Sequence, residues 1–274
     1  SDETLWYVLT EAGKPILLSP RSEQLESFIE HTFGINGSEP EFSYIARNLM
    51  THTGNLPASG KMERLSYYDV DDNIFYLHTG GKEVVRVDTV GISKMVNGER
   101  DILFPWGARG SLISPKYSGL PVRWDEILFE GCFENVIEQR PEWAHTLVRI
   151  WFLCLLLREA LMARPVLALL GQQGSGKSCM FKRVYALLYG RERSVNAISK
   201  EEDFDYAMVR DPLVVMDNAD SSFRWVPDKI AIAAGTSEFI RRKLYTDMDT
   251  IIVKRQGMLG ITAQHLVQPT CCKI

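Results

Sequence analysis

Long apolar runs are missing from this chain. Its most hydrophobic stretch, residues 141–163, holds only eight consecutive apolar residues, Ile150–Leu157, closed in by Arg149, Arg158 and Glu159. A membrane span needs about 20, so this stretch is read as a buried helix and no membrane partner is expected. Cysteine pairs are missing too. The five cysteines (Cys132, Cys154, Cys179, Cys271, Cys272) form no C-x-x-C and no zinc-ligand spacing, and their odd number argues against a disulfide framework. They read as reduced thiols. No charged-then-apolar leader opens the sequence, so secretion is not expected and the expected location is cytoplasmic. Asn36-Gly37-Ser38 is accordingly read as a turn rather than a glycosylation site. Histidine is sparse: His31, His52 and His78 stand apart from one another and are assigned surface or core roles. There is no internal repeat and no low-complexity tract.

What is present is an ordinary globular composition over 274 residues, enough for two domains. The net charge of −4 is unevenly spread: residues 1–140 carry 13 basic and 21 acidic side chains, a balance of −8, and residues 141–274 carry 18 and 14, a balance of +4. Any contact with nucleic-acid phosphates is expected in the second half.

Residues 1–104 read as an α+β module. Strands are expected at Leu5–Leu9 and Pro15–Leu18, helices at about 22–33 and 41–51, and strands at Leu65–Tyr68, Asn73–His78, Glu83–Val87 and Ile102–Phe104. Turns at Asp71-Asp72-Asn73 and Thr79-Gly80-Gly81-Lys82 separate the last group. Residues 105–140 form a connector, with Pro105, Pro115, Pro121, Gly107, Gly110 and Gly119 in its first part and a helix at about 124–133. Residues 141–274 form the second domain, opened by the helix at 141–163.

That second half carries the chemistry. Pro165-Val-Leu-Ala-Leu-Leu170 is a short apolar strand. It runs into Gly171-Gln172-Gln173-Gly174-Ser175-Gly176-Lys177-Ser178, and a helical pattern follows from Cys179 to Tyr189. G-x-x-x-x-G-K-S between a strand and a helix is the P-loop arrangement. Glycines let successive backbone N–H groups point inward, and the helix start adds its positive end. Residues 171–179 are therefore the expected nucleotide cradle, with Lys177 across the β- and γ-phosphates and Ser178 supplying a hydroxyl to Mg²⁺. A second strand, Leu213-Val-Val-Met216, ends in Asp217, the expected Walker-B acid for the same Mg²⁺. Many such sites have a glutamate next; here the residue is Asn218, and the next carboxylate is Asp220. Either Asp220 reaches the attacking water, or Asn218 orients it; Asp220 as a helix cap is an equal alternative.

Ser199-Lys-Glu-Glu202 has the form of a capping box opening a helix through Val209, and Pro227 suits the first turn of a helix continuing through Ala234. Phe239–Thr246 and Thr250–Arg255 read as a hairpin bearing Arg241, Arg242, Lys243, Tyr245, Lys254 and Arg255. Cations with an aromatic suit a nucleic-acid backbone and a stacked base, or one arginine reaches a neighbouring subunit's γ-phosphate; a charge-blunted edge hairpin is the plain alternative. Last, Gly257–Gln264 reads as a central strand presenting Thr262 or Gln264 near the γ-phosphate.

Gly171–Ser178, Val215-Met-Asp-Asn218, Arg241-Arg-Lys-Leu-Tyr-Thr246 and Ile261-Thr-Ala-Gln264 together resemble the ATPases of phage, plasmid and prophage primase-helicases, the superfamily-three branch related to AAA+ proteins. The resemblance covers about residues 70–270. It implies a three-layer α/β/α P-loop NTPase domain behind the smaller α+β module. It further implies ATP and Mg²⁺ as cofactors, a homo-oligomer (usually a six-membered ring), and single- or double-stranded DNA against the hairpin. Such proteins continue past the last strand into an arginine finger and a helical part, so with Ile274 ten residues after Gln264 a complete core is not expected. The function expected is Mg²⁺-dependent ATP hydrolysis driving a DNA helicase or translocase in replication or mobile-element maintenance. The alternative is a nucleotide-dependent, oligomerising switch acting on a protein partner, as in phage defence. A small-molecule kinase fits less well, because residues 190–210 offer an acidic helix where an arginine-rich lid is needed.

Overall fold

The computed structural model describes residues 7–10, 13–19, 22–54, 61–105, 123, 125–130, 141–190, 195, 198, 200–219, 224–235, 238–242, 250–254 and 257–264. Among the described residues it is a mixed α/β structure with a three-stranded parallel sheet, a short two-stranded parallel pair and three antiparallel sheets.

Strands β1 (Tyr7–Leu9) and β2 (Pro15–Leu17) form a small antiparallel hairpin. Helix α1 (Glu23–Phe33) starts where the Ser22 side chain accepts from the Leu25 N–H, and stops at Gly34, whose φ of 71° ends the helix without steric cost. Helix α2 (Pro40–Gly54) joins it in a small core, where Leu25 and Ile29 of α1 and Ala46 of α2 cluster with Ile16 and Leu18 from β2 and its end. After β3 (Lys61–Met62) come the strands of a four-stranded antiparallel meander: β4 (Ser66–Asp69), β5 (Ile74–His78), β6 (Glu83–Val87) and β7 (Ile92–Val96). Strand β8 (Ile102–Leu103) pairs in parallel with β3. Aspartates build two of the meander's turns. Asp69 Oδ1 accepts from the N–H groups of Asp71 and Asp72, and Asp88 Oδ1 accepts from those of Val90 and Gly91. Fully buried Asn97 ties the module together, donating from Nδ2 to the carbonyls of Gly13 (3.0 Å) and Phe104 (2.8 Å) and accepting from the Phe104 N–H (2.9 Å).

In the second half come α3 (Pro141–Leu156), β9 (Leu167–Leu170), α4 (Lys177–Tyr189), α5 (Glu201–Arg210) and β10 (Leu213–Met216). They are followed by α6 (Val226–Gly235), β11 (Glu238–Arg242), β12 (Thr250–Lys254) and β13 (Met258–Ala263). The parallel sheet has the order β10-β13-β9, so the last strand lies between the other two. Side chains alternate across it. Leu213, Val215 and Met258 join the cluster built by α3 and α4 (Trp151, Leu155, Met180, Phe181, Val184). Val214, Met216, Leu259 and Ile261 join the cluster built by α5 and α6 (Phe204, Met208, Val226, Ala233). Helices thus cover both faces.

The structure departs from the sequence expectations at several elements. The helix expected through 163 ends at Leu156, and a 3-10 turn follows at Arg158–Ala160. The cause is Arg158, only 4% exposed, whose guanidinium turns into the meander. Its Nη2 donates to the Ser66 carbonyl at 3.1 Å and lies 3.8 Å from Glu63 Oε2. Ser66 Oγ donates to the Leu156 carbonyl at 2.8 Å, and the Tyr68 N–H to Glu159 Oε2 at 3.1 Å. A continuing helix would carry these groups past their partners. In place of the helix at 124–133, the described residues hold one wide π turn, Asp125–Phe129. Helix α5 is capped at Lys200, with no side-chain cap, not at Ser199, which lies outside the described residues. Strands β3 and β7 were not expected. The latter is an edge strand whose Ile92, Ser93 and Lys94 are exposed, so no apolar alternation marks it.

Candidate functional site

The parallel register brings three strand ends to one edge of the sheet. Met216 pairs with Ile261 and Ala263 with Leu170, so Asp217 leaves β10 level with Thr262 and Gly171 leaves β9 level with Gln264. The Gly171 N–H continues the ladder to the Ala263 carbonyl at 3.2 Å. This carboxyl edge of a parallel sheet is where open α/β folds place ligands.

The loop leaving β9 is shaped by its glycines. Gly174 and Gly176 have φ of 83° and 84°, a region that other residues enter only at a cost. A Cβ on Gly171, at φ 153°, would stand 3.0 Å from Ser175 Oγ. Gly176 caps α4, which therefore starts at Lys177, two residues before the expected start at Cys179. The first N–H groups of a helix have no partner within it and carry its positive end; here those positions are Lys177, Ser178 and Cys179. The Lys177 ammonium arches back over the loop, donating to the carbonyls of Gly171 (2.7 Å) and Gln172 (2.8 Å) and reaching Ser175 Oγ at 3.3 Å. Gln172, Gln173 and Ser175 are exposed around it.

Asp217 faces this helix start from the end of β10. Its Oδ1 accepts from Ser178 Oγ at 2.8 Å and from Thr262 Oγ1 at 2.5 Å. Thr262 also accepts from the Asn218 N–H at 3.0 Å, while its carbonyl accepts from Ala219 N–H at 2.8 Å. Asn218 turns the chain at φ 54° with its side chain exposed. A hydroxyl and a carboxylate side by side are hard oxygen donors, the type Mg²⁺ prefers. Among the described residues no cluster of three or more His, Cys, Asp or Glu suits a metal held by protein alone.

The structure therefore gathers Gly171–Cys179, Asp217, Asn218, Thr262 and Gln264 at one sheet edge. Gln264 is exposed, just past β13, and Thr262 is buried. Asp220 lies outside the described residues. On the hairpin, β11 and β12 pair antiparallel with Arg242 opposite Thr250, which carries the backbones of Arg241, Arg242 and Lys254; Lys243, Tyr245 and Arg255 lie outside the described residues. The sequence reading missed the bond between Thr262 and Asp217, which join only when β13 inserts beside β10. It also missed Gly260, where a side chain would collide with the Phe181 ring of α4; a glycine inside a strand is the signal that could have revealed it. A cavity of about 290 Å³ opens elsewhere, between β10 and α5, lined by Tyr185, Asp203, Tyr206, Arg210 and Asp211 among others, and its described lining includes none of the expected site residues.

No protein-family model matches the chain, and no curated protein does. Among solved structures it is similar to apo structures of the NrS-1 C-terminal region. One is matched at 12% identity over 95% of this chain and 53% of that one, with a TM-score of 0.44. A second is matched at 12% identity over 68% and 52%, with a TM-score of 0.40. A third is matched at 10% identity over 73% and 54%, with a TM-score of 0.36. The chain spans about half the length of the structures it matches. Among the described residues no helix is long and apolar enough to cross a membrane.

Proposed function

We propose that this chain binds ATP with Mg²⁺ at Gly171–Cys179 and Asp217 and hydrolyses it, as a P-loop ATPase of the AAA+-related, superfamily-three primase-helicase type acting on DNA. The observation that carries this reading is the 2.8 Å hydrogen bond between Ser178 Oγ and Asp217 Oδ1. Thirty-nine residues separate the two in the chain. Their meeting joins a helix-start anion cradle to a carboxylate, which a phosphate-bound Mg²⁺ requires of a protein. Strand order supports it further: β13 between β9 and β10 is the arrangement that lets a third strand end face the same phosphates.

In this reading the first-turn amides of α4 and the Lys177 ammonium hold the phosphate oxygens, the ammonium leaving its present carbonyl partners for a full negative charge. Bound Mg²⁺ would neutralise charge developing on the phosphates, with Ser178 and Asp217 as its protein-side holders. Asn218, exposed beside Asp217, orients the attacking water. An amide cannot take a proton as a carboxylate does, so slow turnover is expected unless Asp220 supplies the base. The hairpin β11–β12, whose sequence is rich in Arg and Lys, is the proposed DNA contact, and a homo-oligomer is the proposed working form.

The test is ATP turnover with and without single-stranded DNA at two protein concentrations, together with binding of labelled ATP. Saturable Mg²⁺-dependent binding, and turnover that rises with DNA and with protein concentration, are expected. Absence of saturable binding by folded protein overturns the ATPase reading. Turnover indifferent to DNA in protein that binds ATP overturns the DNA motor and leaves the oligomerising switch.

A further inference from the structure

We infer that Thr262 is a positioning residue for the Asp217 carboxylate and does not touch the nucleotide; this rests on the nucleotide reading above. The expectation from sequence was that Thr262 or Gln264 faces the γ-phosphate. The surroundings of Thr262 say otherwise for that residue. Thr262 is 1% exposed on the middle strand, paired across from Leu169 of β9. Its hydroxyl has one hydrogen, and that hydrogen goes to Asp217 Oδ1 at 2.5 Å. The oxygen accepts from the Asn218 N–H at 3.0 Å, and the carbonyl of the same residue holds the Ala219 N–H at 2.8 Å. Nothing is left to donate to a phosphate.

The arrangement instead controls where Asp217 points. Two hydroxyl hydrogens, from Ser178 and Thr262, converge on one oxygen, Oδ1. That fixes the rotation of the carboxylate about its last bond and would leave its other oxygen to a bound Mg²⁺. Thr262 also secures the turn that follows. Asn218 sits at φ 54°, a left-handed turn that asparagine accepts more readily than most residues, and its N–H bond to Thr262 holds the chain in it. Partners that orient a metal-holding group in this way typically change metal affinity by about 10- to 100-fold when removed.

The inference predicts a particular pattern of defects. Thr262→Val keeps the shape and loses the hydroxyl; Thr262→Ala is the second variant should valine fail to fold; Thr262→Ser keeps the hydroxyl. Binding of a fluorescent ATP analogue is titrated against Mg²⁺, and separately in EDTA. Valine or alanine is expected to raise the half-saturating Mg²⁺ concentration by about tenfold or more, with EDTA binding little changed and serine close to the unsubstituted protein. An unchanged Mg²⁺ requirement in both hydroxyl-free variants overturns the inference, as does a loss equally large in EDTA, which would mark a direct nucleotide contact. If the unsubstituted protein binds no analogue under any condition, it is the nucleotide reading that falls.

Discussion

The ring of Phe181 fills the space that a side chain on Gly260 would need: a Cβ there would lie 2.4 Å from Cε1 and 2.6 Å from Cζ. Phe181 is fully buried on the inner face of α4, one turn beyond Lys177, and Gly260 is central in β13 between Val215 and Leu167. The contact sets how closely the helix that begins the phosphate loop approaches the sheet. Gly260→Ala is expected to cost about 1–3 kcal/mol of stability through overpacking. Phe181→Leu in the same chain should recover part of it. Denaturant unfolding of the single and double variants measures the coupling; strictly additive losses would show that the two residues do not compete for space.

Lys177→Ala should separate binding from folding. The ammonium contacts only its own loop among the described residues, so the melting temperature should move little. A lost charge-assisted hydrogen bond is worth about 1.5–3 kcal/mol, which means labelled ATP should bind at least about tenfold more weakly. Isothermal titration gives the affinity and calorimetric melting gives the stability. Undiminished affinity would remove Lys177 from the site.

Arg158 joins the meander to α3 from a buried position. Its guanidinium donates to the Ser66 carbonyl and faces buried Glu63. Arg158→Ala removes a buried charge partner of that acid together with the bond to Ser66, and should cost about 3–5 kcal/mol. The double variant Arg158→Met, Glu63→Leu should restore most of the loss, because a packed apolar pair avoids burying charge. Urea unfolding of the three proteins reads the difference, and a double variant no better than Arg158→Ala would contradict this account.

His78 makes the first half sensitive to acid. It is 4% exposed, stacked at 5.1 Å on Phe104, and its Nε2 has no hydrogen-bond partner among the described residues. Burial pushes its pKa down to about 4, against a backbone hydrogen bond with Gly81 that pulls upward. The unfolded chain, with an ordinary value near 6.5, binds more protons between those limits. Stability should therefore be complete above pH 6.5 and fall as the pH drops towards 4, by roughly 3 kcal/mol for this group. Unfolding free energies from pH 4 to 7 measure the slope. His78→Phe should flatten it, and an NMR titration placing the His78 pKa near 6.5 would refute the assignment.

Local order was legible in the sequence, and long-range joining was not. The strands at Asn73–His78 and Glu83–Val87, the glycine and aspartate turns, and the strand–glycine loop–helix order around Gly171–Ser178 all depend on neighbours a few residues away. So did the hairpin at 238–254, whose backbone pairing follows from two β-rich runs about a polar turn. Where α3 stops could not be seen, because Arg158 leaves the helix for partners some 90 residues earlier, at Glu63 and Ser66. Strand β7 escaped because an exposed edge strand needs no apolar face. Residue types at the candidate site could be picked out, Ser178, Asp217 and Thr262 among them. Which of their atoms share hydrogen bonds was decided only when β13 entered the sheet between β10 and β9. Hydrogen bonds reach about 3 Å, and no periodicity along a chain encodes which distant strands will come that close.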